Sequence, residues 1–227
     1  MSRRELDRVA AIVRKDLAAE RRSKANFNSV VFLAVLTLLL FGFSLGPDPQ
    51  ALREIGGGVI WLTIFFSGVL AFHRSYQLEL ENGAIDVLLL YPGDRRSIFV
   101  GKLTANLIFV GLVQAVMLPV AALLYDVPLF AAPWRLALVL GLGTLGFVTL
   151  GTFYAAMASR LRAREVLLPL MLFPMLIPLL VAAVLATGAL LDGDPMGQSG
   201  AWIRLLVVFD VIFGVAAFFA FEHVIEE

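Results

Sequence analysis

Apolar residues fall into six long blocks, at 27–45, 55–72, 103–125, 134–158, 166–191 and 201–221, separated by shorter polar segments. A helix needs about 20 mostly apolar residues to cross ~30 Å of hydrocarbon. Backbone amides in lipid must also find partners within the protein, which makes helices the default. The pattern therefore predicts an all-α polytopic membrane protein with six transmembrane helices. Ahead of the first block, Leu6, Val9, Ala10, Val13 and Leu17 share one helical face, with Arg4, Arg8, Arg14 and Lys15 largely elsewhere. That spacing predicts an amphipathic helix over 4–18, lying along the inner membrane surface. Two readings of it stay open: an elbow helix that also touches a partner, and a topogenic anchor drawn to anionic lipid.

The longest polar interruption, 73–102, carries His73, Arg74, Glu79, Glu81 and Asp86, an Asn82-Gly83 turn, and then Arg95, Arg96 and Lys102. Within it, 84–91 is apolar but would reach only about 12 Å as a helix, too short to cross. Ile85, Leu88 and Leu89 share a face by their spacing. Gly83 allows a sharp entry and Pro92 forbids continuation. A short loop helix is predicted. The spacing fits either a rigid knob that takes force from a soluble partner or an interfacial helix without one.

Composition narrows the class. The chain is 60% hydrophobic and 16% charged, where a soluble domain is about 25% charged. Mean hydropathy is +0.89, in the membrane range. Net charge is zero, so no large field favours nucleic acid. The absence of cysteine removes disulfides and thiol chemistry, and two histidines are too few for a metal cluster.

Charge also sets orientation. Fifteen of the eighteen Lys and Arg residues lie in the N-terminal tail, the second loop and the fourth loop; Arg53, Arg135 and Arg204 lie on the other side. By the positive-inside rule both termini are cytoplasmic. Trp134 and Trp202 open spans at the outer face, and Trp61 is expected in the outer part of the second span, at interfacial depth. A cleavable signal peptide fits poorly, because the first apolar block is full length and no A-x-A site follows it. The expected organisation is one transmembrane domain over 1–227: a cytoplasmic N-terminal segment 1–26, a membrane body 27–221 and a cytoplasmic loop 73–102.

Polar groups inside the spans are few. Asn106 and Gln114 in the third span are expected to hydrogen-bond across helices. Gly141-Leu-Gly143-Thr-Leu-Gly146 matches a dinucleotide fingerprint in form but lies mid-membrane, with no strand before it, so close helix approach is the better reading. Gly93 and Gly101-Lys102 have the wrong spacing for a phosphate loop. No credible nucleotide site remains. Pro169, Pro174 and Pro178 are expected to kink the fifth span. Asp210 sits midway through the last span, where an ionised acid is expensive. It is either a functional intramembrane group or a protonated acid bonded at a helix contact.

The run Ser44-Leu-Gly-Pro-Asp-Pro-Gln50, then Gly58-Val-Ile-Trp61, then Leu80-Glu-Asn-Gly-Ala-Ile-Asp-Val-Leu-Leu-Leu-Tyr-Pro92 resembles the heme exporter protein B family, the permease subunit of the cytochrome c maturation system. The likeness covers nearly the whole chain. It implies an ABC transporter permease of the second type in a bacterial inner membrane, working as a pair of copies with a separate ATPase subunit, of the cytochrome c maturation protein A type. It implies that the loop after the second span is the coupling helix. That assigns ATPase coupling to Glu79, Glu81, Gly83, Ile85, Asp86, Leu88, Leu89 and Pro92. It further implies a heme-handling membrane partner with a Trp-rich outer motif, of the cytochrome c maturation protein C type. This chain lacks that motif, so heme ligation is expected elsewhere. No cofactor is expected on this chain itself: ATP belongs to the partner, heme is handled by the complex, and the action is ATP-driven release of a heme-loaded chaperone.

The same architecture would also suit a permease for another hydrophobic or lipid-linked substrate. A membrane-embedded enzyme needs nucleophile, base or metal ligands clustered at one depth, and Asp210 stands alone in the sequence pattern. A passive scaffold would leave partner ATPase activity indifferent to changes in the inner knob.

Overall fold

An apolar run of about 20 residues satisfies its own backbone hydrogen bonds in lipid by folding as a helix. In the computed structural model, which describes residues 3–22, 24–46, 48–81, 94–129, 132–159 and 164–226, the regular elements are all α-helical. They are α1 (Arg3–Arg22), α2 (Lys24–Leu45), α3 (Pro49–Glu81), α4 (Arg96–Tyr125), α5 (Pro133–Ser159), α6 (Arg164–Leu191) and α7 (Ser199–Glu226). Helices α2 to α7 each contain a stretch long and apolar enough to cross a membrane, as the six blocks predict. The chain is a multi-pass membrane protein. Successive spans run antiparallel, so α1, the starts of α2, α4 and α6 and the ends of α3, α5 and α7 share one end, here called the base.

Burial sorts the helices into an inner and an outer set. In the apolar windows of α3 and α5, 67% of residues are buried inside the protein; in α2 and α7 only 17% are. Phe32, Leu40 and Phe43 of α2 and Val211, Ile212 and Val215 of α7 face outward, as lipid-exposed positions should.

The inner pair α3 and α5 interlock through glycines. A Cβ on Gly143 would come within 2.2 Å of the Trp61 ring, one on Gly68 within 2.1 Å of Phe147, and one on Gly151 within 2.0 Å of Phe72. Each glycine is a hole for an aromatic of the other helix, the small-residue contact that lets membrane helices approach. Polar groups complete the packing. Asn106 Nδ2 donates to Thr152 Oγ1 at 3.0 Å, Gln114 Nε2 to Thr144 Oγ1 at 2.5 Å, and the Tyr125 hydroxyl to the Leu38 carbonyl at 2.7 Å.

Three expectations change. Trp61 is not interfacial: its side chain is only 1% exposed, and its Nε1 donates to Thr187 Oγ1 at 2.9 Å. Helix α3 starts at Pro49 rather than 55, which sets Trp61 about 18 Å along it. Trp134, by contrast, is 77% exposed, as a belt residue should be. The predicted loop 73–102 is helical at both flanks, because α3 continues to Glu81 and α4 begins at Arg96. Finally, α1 runs to Arg22, past the predicted end, and the side chain it buries best is Ile12 rather than the predicted stripe; Leu6 is 55% exposed.

Candidate functional site

The loop between α3 and α4 is the sequence-derived candidate. Glu79 and Glu81 lie in the last turns of α3. Gly83, Ile85, Asp86, Leu88, Leu89 and Pro92 lie outside the described residues. What the structure defines is where the loop leaves and returns.

It returns at Asp94, two residues ahead of α4. Asp94 Oδ1 accepts the Arg96 amide at 2.9 Å, and its carbonyl accepts the Ser97 hydroxyl at 2.6 Å. A short acidic residue here satisfies donors that the first helical turn leaves open. The same carbonyl accepts Arg8 Nη1 of α1 at 3.3 Å. Seven residues on, Gly101 meets Ile12 so closely that a Cβ there would stand 2.9 Å from the Ile12 side chain. Lys102, 1% exposed, places its Nζ 3.0 Å from Asp16 Oδ2. Deeper in α1, Glu20 Oε1 accepts Asn26 Nδ2 at 2.7 Å, joining α1 to the start of α2.

The same head of α4 also grips α7. Arg96 Nη2 pairs with Glu222 Oε2 at 2.8 Å. Its guanidinium lies 5.4 Å from the Phe218 ring centre and 4.9 Å from that of Phe219. Buried Phe99 and Phe221 stack with centroids 5.0 Å apart. Helix α4 spans about 45 Å at 1.5 Å per residue, well beyond ~30 Å of hydrocarbon. Its first turns can therefore stand at the headgroup level, where charges pair without crossing lipid.

These contacts were not legible in the pattern. Arg96 and Lys102 read only as topogenic charge, and nothing in the helical pattern of 4–18 singles out Asp16. The available signal was Gly101 next to Lys102 at a helix start, but the partner of each is 85 or more positions away in sequence.

Asp210 is the second candidate. It lies on α7 against α5, and a Cβ on Gly146 would come within 2.3 Å of its Oδ1 and 2.4 Å of Leu179. Both carboxylate oxygens are enclosed and have no hydrogen-bond partner among the described residues. The glycine motif thus serves helix approach at two points, Trp61 on Gly143 and Asp210 on Gly146. Asp210 lies twelve residues before Glu222 on α7, about 18 Å along the helix from the base.

The far end is tied by charge as well. Arg53 pairs with Asp126, and Arg135 Nη1 lies 3.7 Å from Asp194 Oδ2. Asp194 caps α7: its Oδ1 accepts the Ser199 amide at 3.2 Å and its Oδ2 accepts the Ser199 hydroxyl at 2.5 Å. The Ser199 hydroxyl bond above all holds this carboxyl below the ordinary aspartate value of 3.8.

Comparison with known proteins matches this architecture. The family described as "CcmB protein" matches residues 7–227. The chain is 34% identical over 190 residues to "Heme exporter protein B" of Paracoccus denitrificans, covering 82% of this chain and 85% of that one. It is 32% identical over 179 residues to the protein of the same name from Escherichia coli K12, covering 78% and 80%. It is 30% identical over 172 residues to that of Haemophilus influenzae, covering 76% and 77%. A match over nearly the full chain, on a body of six helices long and apolar enough to span a membrane, means that this chain belongs to the CcmB family.

Proposed function

We propose that this protein is the permease subunit of a bacterial ABC exporter for heme handling in cytochrome c maturation. It sits in the inner membrane with the base and both termini in the cytoplasm. The single observation that carries the reading is the match of residues 7–227 to the CcmB family, with relatives named heme exporter protein B. The physical chemistry supports the division of labour. The fold is a bundle of apolar helices whose described charged residues, Asp210 apart, gather toward its two ends, which suits a driving reaction carried by a separate ATPase subunit. Residues 79–92 supply the docking surface: Glu79, Glu81 and Asp86 offer charge, and Ile85, Leu88 and Leu89 an apolar face. Gly83 and Pro92 set its limits. The bundle works as two copies beside the ATPase pair, and a Trp-rich membrane partner holds the heme. ATP hydrolysis then releases the heme-loaded chaperone.

Deletion and complementation test this. Loss of the protein abolishes covalent heme attachment to c-type cytochromes, and the full chain restores it. Normal c-type cytochromes after deletion would sink the heme reading and favour another hydrophobic or lipid-linked cargo.

A further inference from the structure

The head of α4 holds two neighbours at once, and the two joints differ from what a lipid anchor requires. On the α1 side, the Gly101 seat for Ile12 fixes register sterically. The Asp16–Lys102 pair, at 3.0 Å with the Lys102 side chain 1% exposed, fixes it electrostatically. A buried pair adds little to stability compared with apolar replacement, but separating its partners strands a charge out of water. Such a contact resists sliding and peeling. On the α7 side the joint is more open: Arg96 and Glu222 pair at 2.8 Å with both side chains partly exposed, and the Phe99 and Phe221 rings pack at a tilt with centres 5.0 Å apart. Helix α1 also sorts its charges. Glu5, Asp16 and Glu20 are partly covered, as is Arg8, which bonds the Asp94 carbonyl; Asp7 is exposed with Arg3, Arg14, Lys15, Arg21 and Arg22. A helix held only by anionic lipid has no use for carboxylates on its covered side.

We propose that α1, the head of α4 and the tail of α7 form one rigid transmission body at the exit of the 82–93 loop, with Asp16 and Lys102 as its positioning residues. The inference rests on the reading that this loop receives the push of the ATPase. A displacement of the loop moves α1 and α7 together through α4. The elbow helix is then a working arm of the permease.

The chain contains no cysteine, so Ile12→Cys with Gly101→Cys introduces one defined disulfide in the full complex. The two Cβ atoms must relax outward slightly to reach the ~3.5–4.5 Å of a disulfide. The expected result is cross-linking to near completion in native membranes, with and without ATP. ATP-driven release of heme-loaded chaperone should then be unchanged on oxidation within about twofold. Release lost on oxidation and regained on reduction would overturn the proposal, since α1 would then have to leave α4 during the cycle. So would a cross-link yield that depends on nucleotide. In a second arm, Asp16→Asn or Lys102→Met is expected to lower release about tenfold or more while ATP hydrolysis continues. Asp16→Lys combined with Lys102→Asp should recover much of it, which assigns the effect to the pair; continued ATP hydrolysis in the single variants is the readout that mere misfolding would not leave intact. Single variants that release normally would also overturn it. Failure of the unsubstituted complex to release chaperone with ATP would instead count against the proposed function, and the cross-link yield would still decide the rigid joint.

Discussion

Gly151 shows how a single residue sets the distance between two spans. With Phe72 only 2.0 Å from where its Cβ would stand, Gly151→Val must push α3 and α5 apart, and overpacking of this kind costs about 1–3 kcal/mol. The expected outcome is a lower thermal midpoint of the detergent-purified protein; Gly141→Val, at a glycine facing open space, serves as the control and should leave it unchanged. Asp210 carries the opposite expectation. Its carboxylate oxygens have no described partner, and an ionised Asp at mid-span costs about 2.5–3.5 kcal/mol on insertion scales. Asp210→Asn is therefore expected to leave the midpoint equal or higher; a clear fall would show that the acid makes a bond the chain depends on. At this scale the sequence was partly readable. The glycine motif announced close approach, and Asn106 and Gln114 announced interhelical bonds. The depth of Trp61 was misread because the start of its helix was placed six residues late, and about 9 Å of depth goes with that.

Helix ends are where hydropathy and backbone part company. The predicted loop began at 73 because the lipid signal stops there, yet polar residues continue a helix readily once they are outside hydrocarbon, and α3 runs 33 residues to Glu81. Its last turns form a stalk into the candidate coupling loop. Gln77→Pro removes a helical hydrogen bond and breaks that stalk at a cost of about 3 kcal/mol. Membrane insertion should be intact and cytochrome c maturation lost; normal maturation would show that stalk rigidity is irrelevant. At the far end, Asp194 gives a pH dependence. Its folded carboxyl titrates below the ordinary 3.8, so the stability it adds is complete above that value and is lost as pH falls through the lowered one. Thermal midpoints measured from about pH 5 downward should fall more steeply for the unsubstituted chain than for Asp194→Asn; parallel curves would remove Asp194 as the titrating cap.

The whole molecule follows from two coarse signals. Six apolar blocks gave the bundle, since lipid admits few other backbone solutions, and the order of three loop and span motifs gave the family. Neither signal reaches the base. The contacts among α1, α4 and α7 join residues far apart in sequence, such as Asp16 with Lys102 and Arg96 with Glu222, and charge counting registers those residues only as a total. The central claim is mechanical: the segment between α3 and α4 faces the cytoplasm and is pushed there by an ATPase. Leu88→Cys in this cysteine-free chain tests it with a membrane-impermeant maleimide and a thiol cross-linker. The account predicts no labelling in intact cells, labelling in inverted vesicles, and a cross-link to the copurifying ATPase subunit. Labelling from outside intact cells would contradict it.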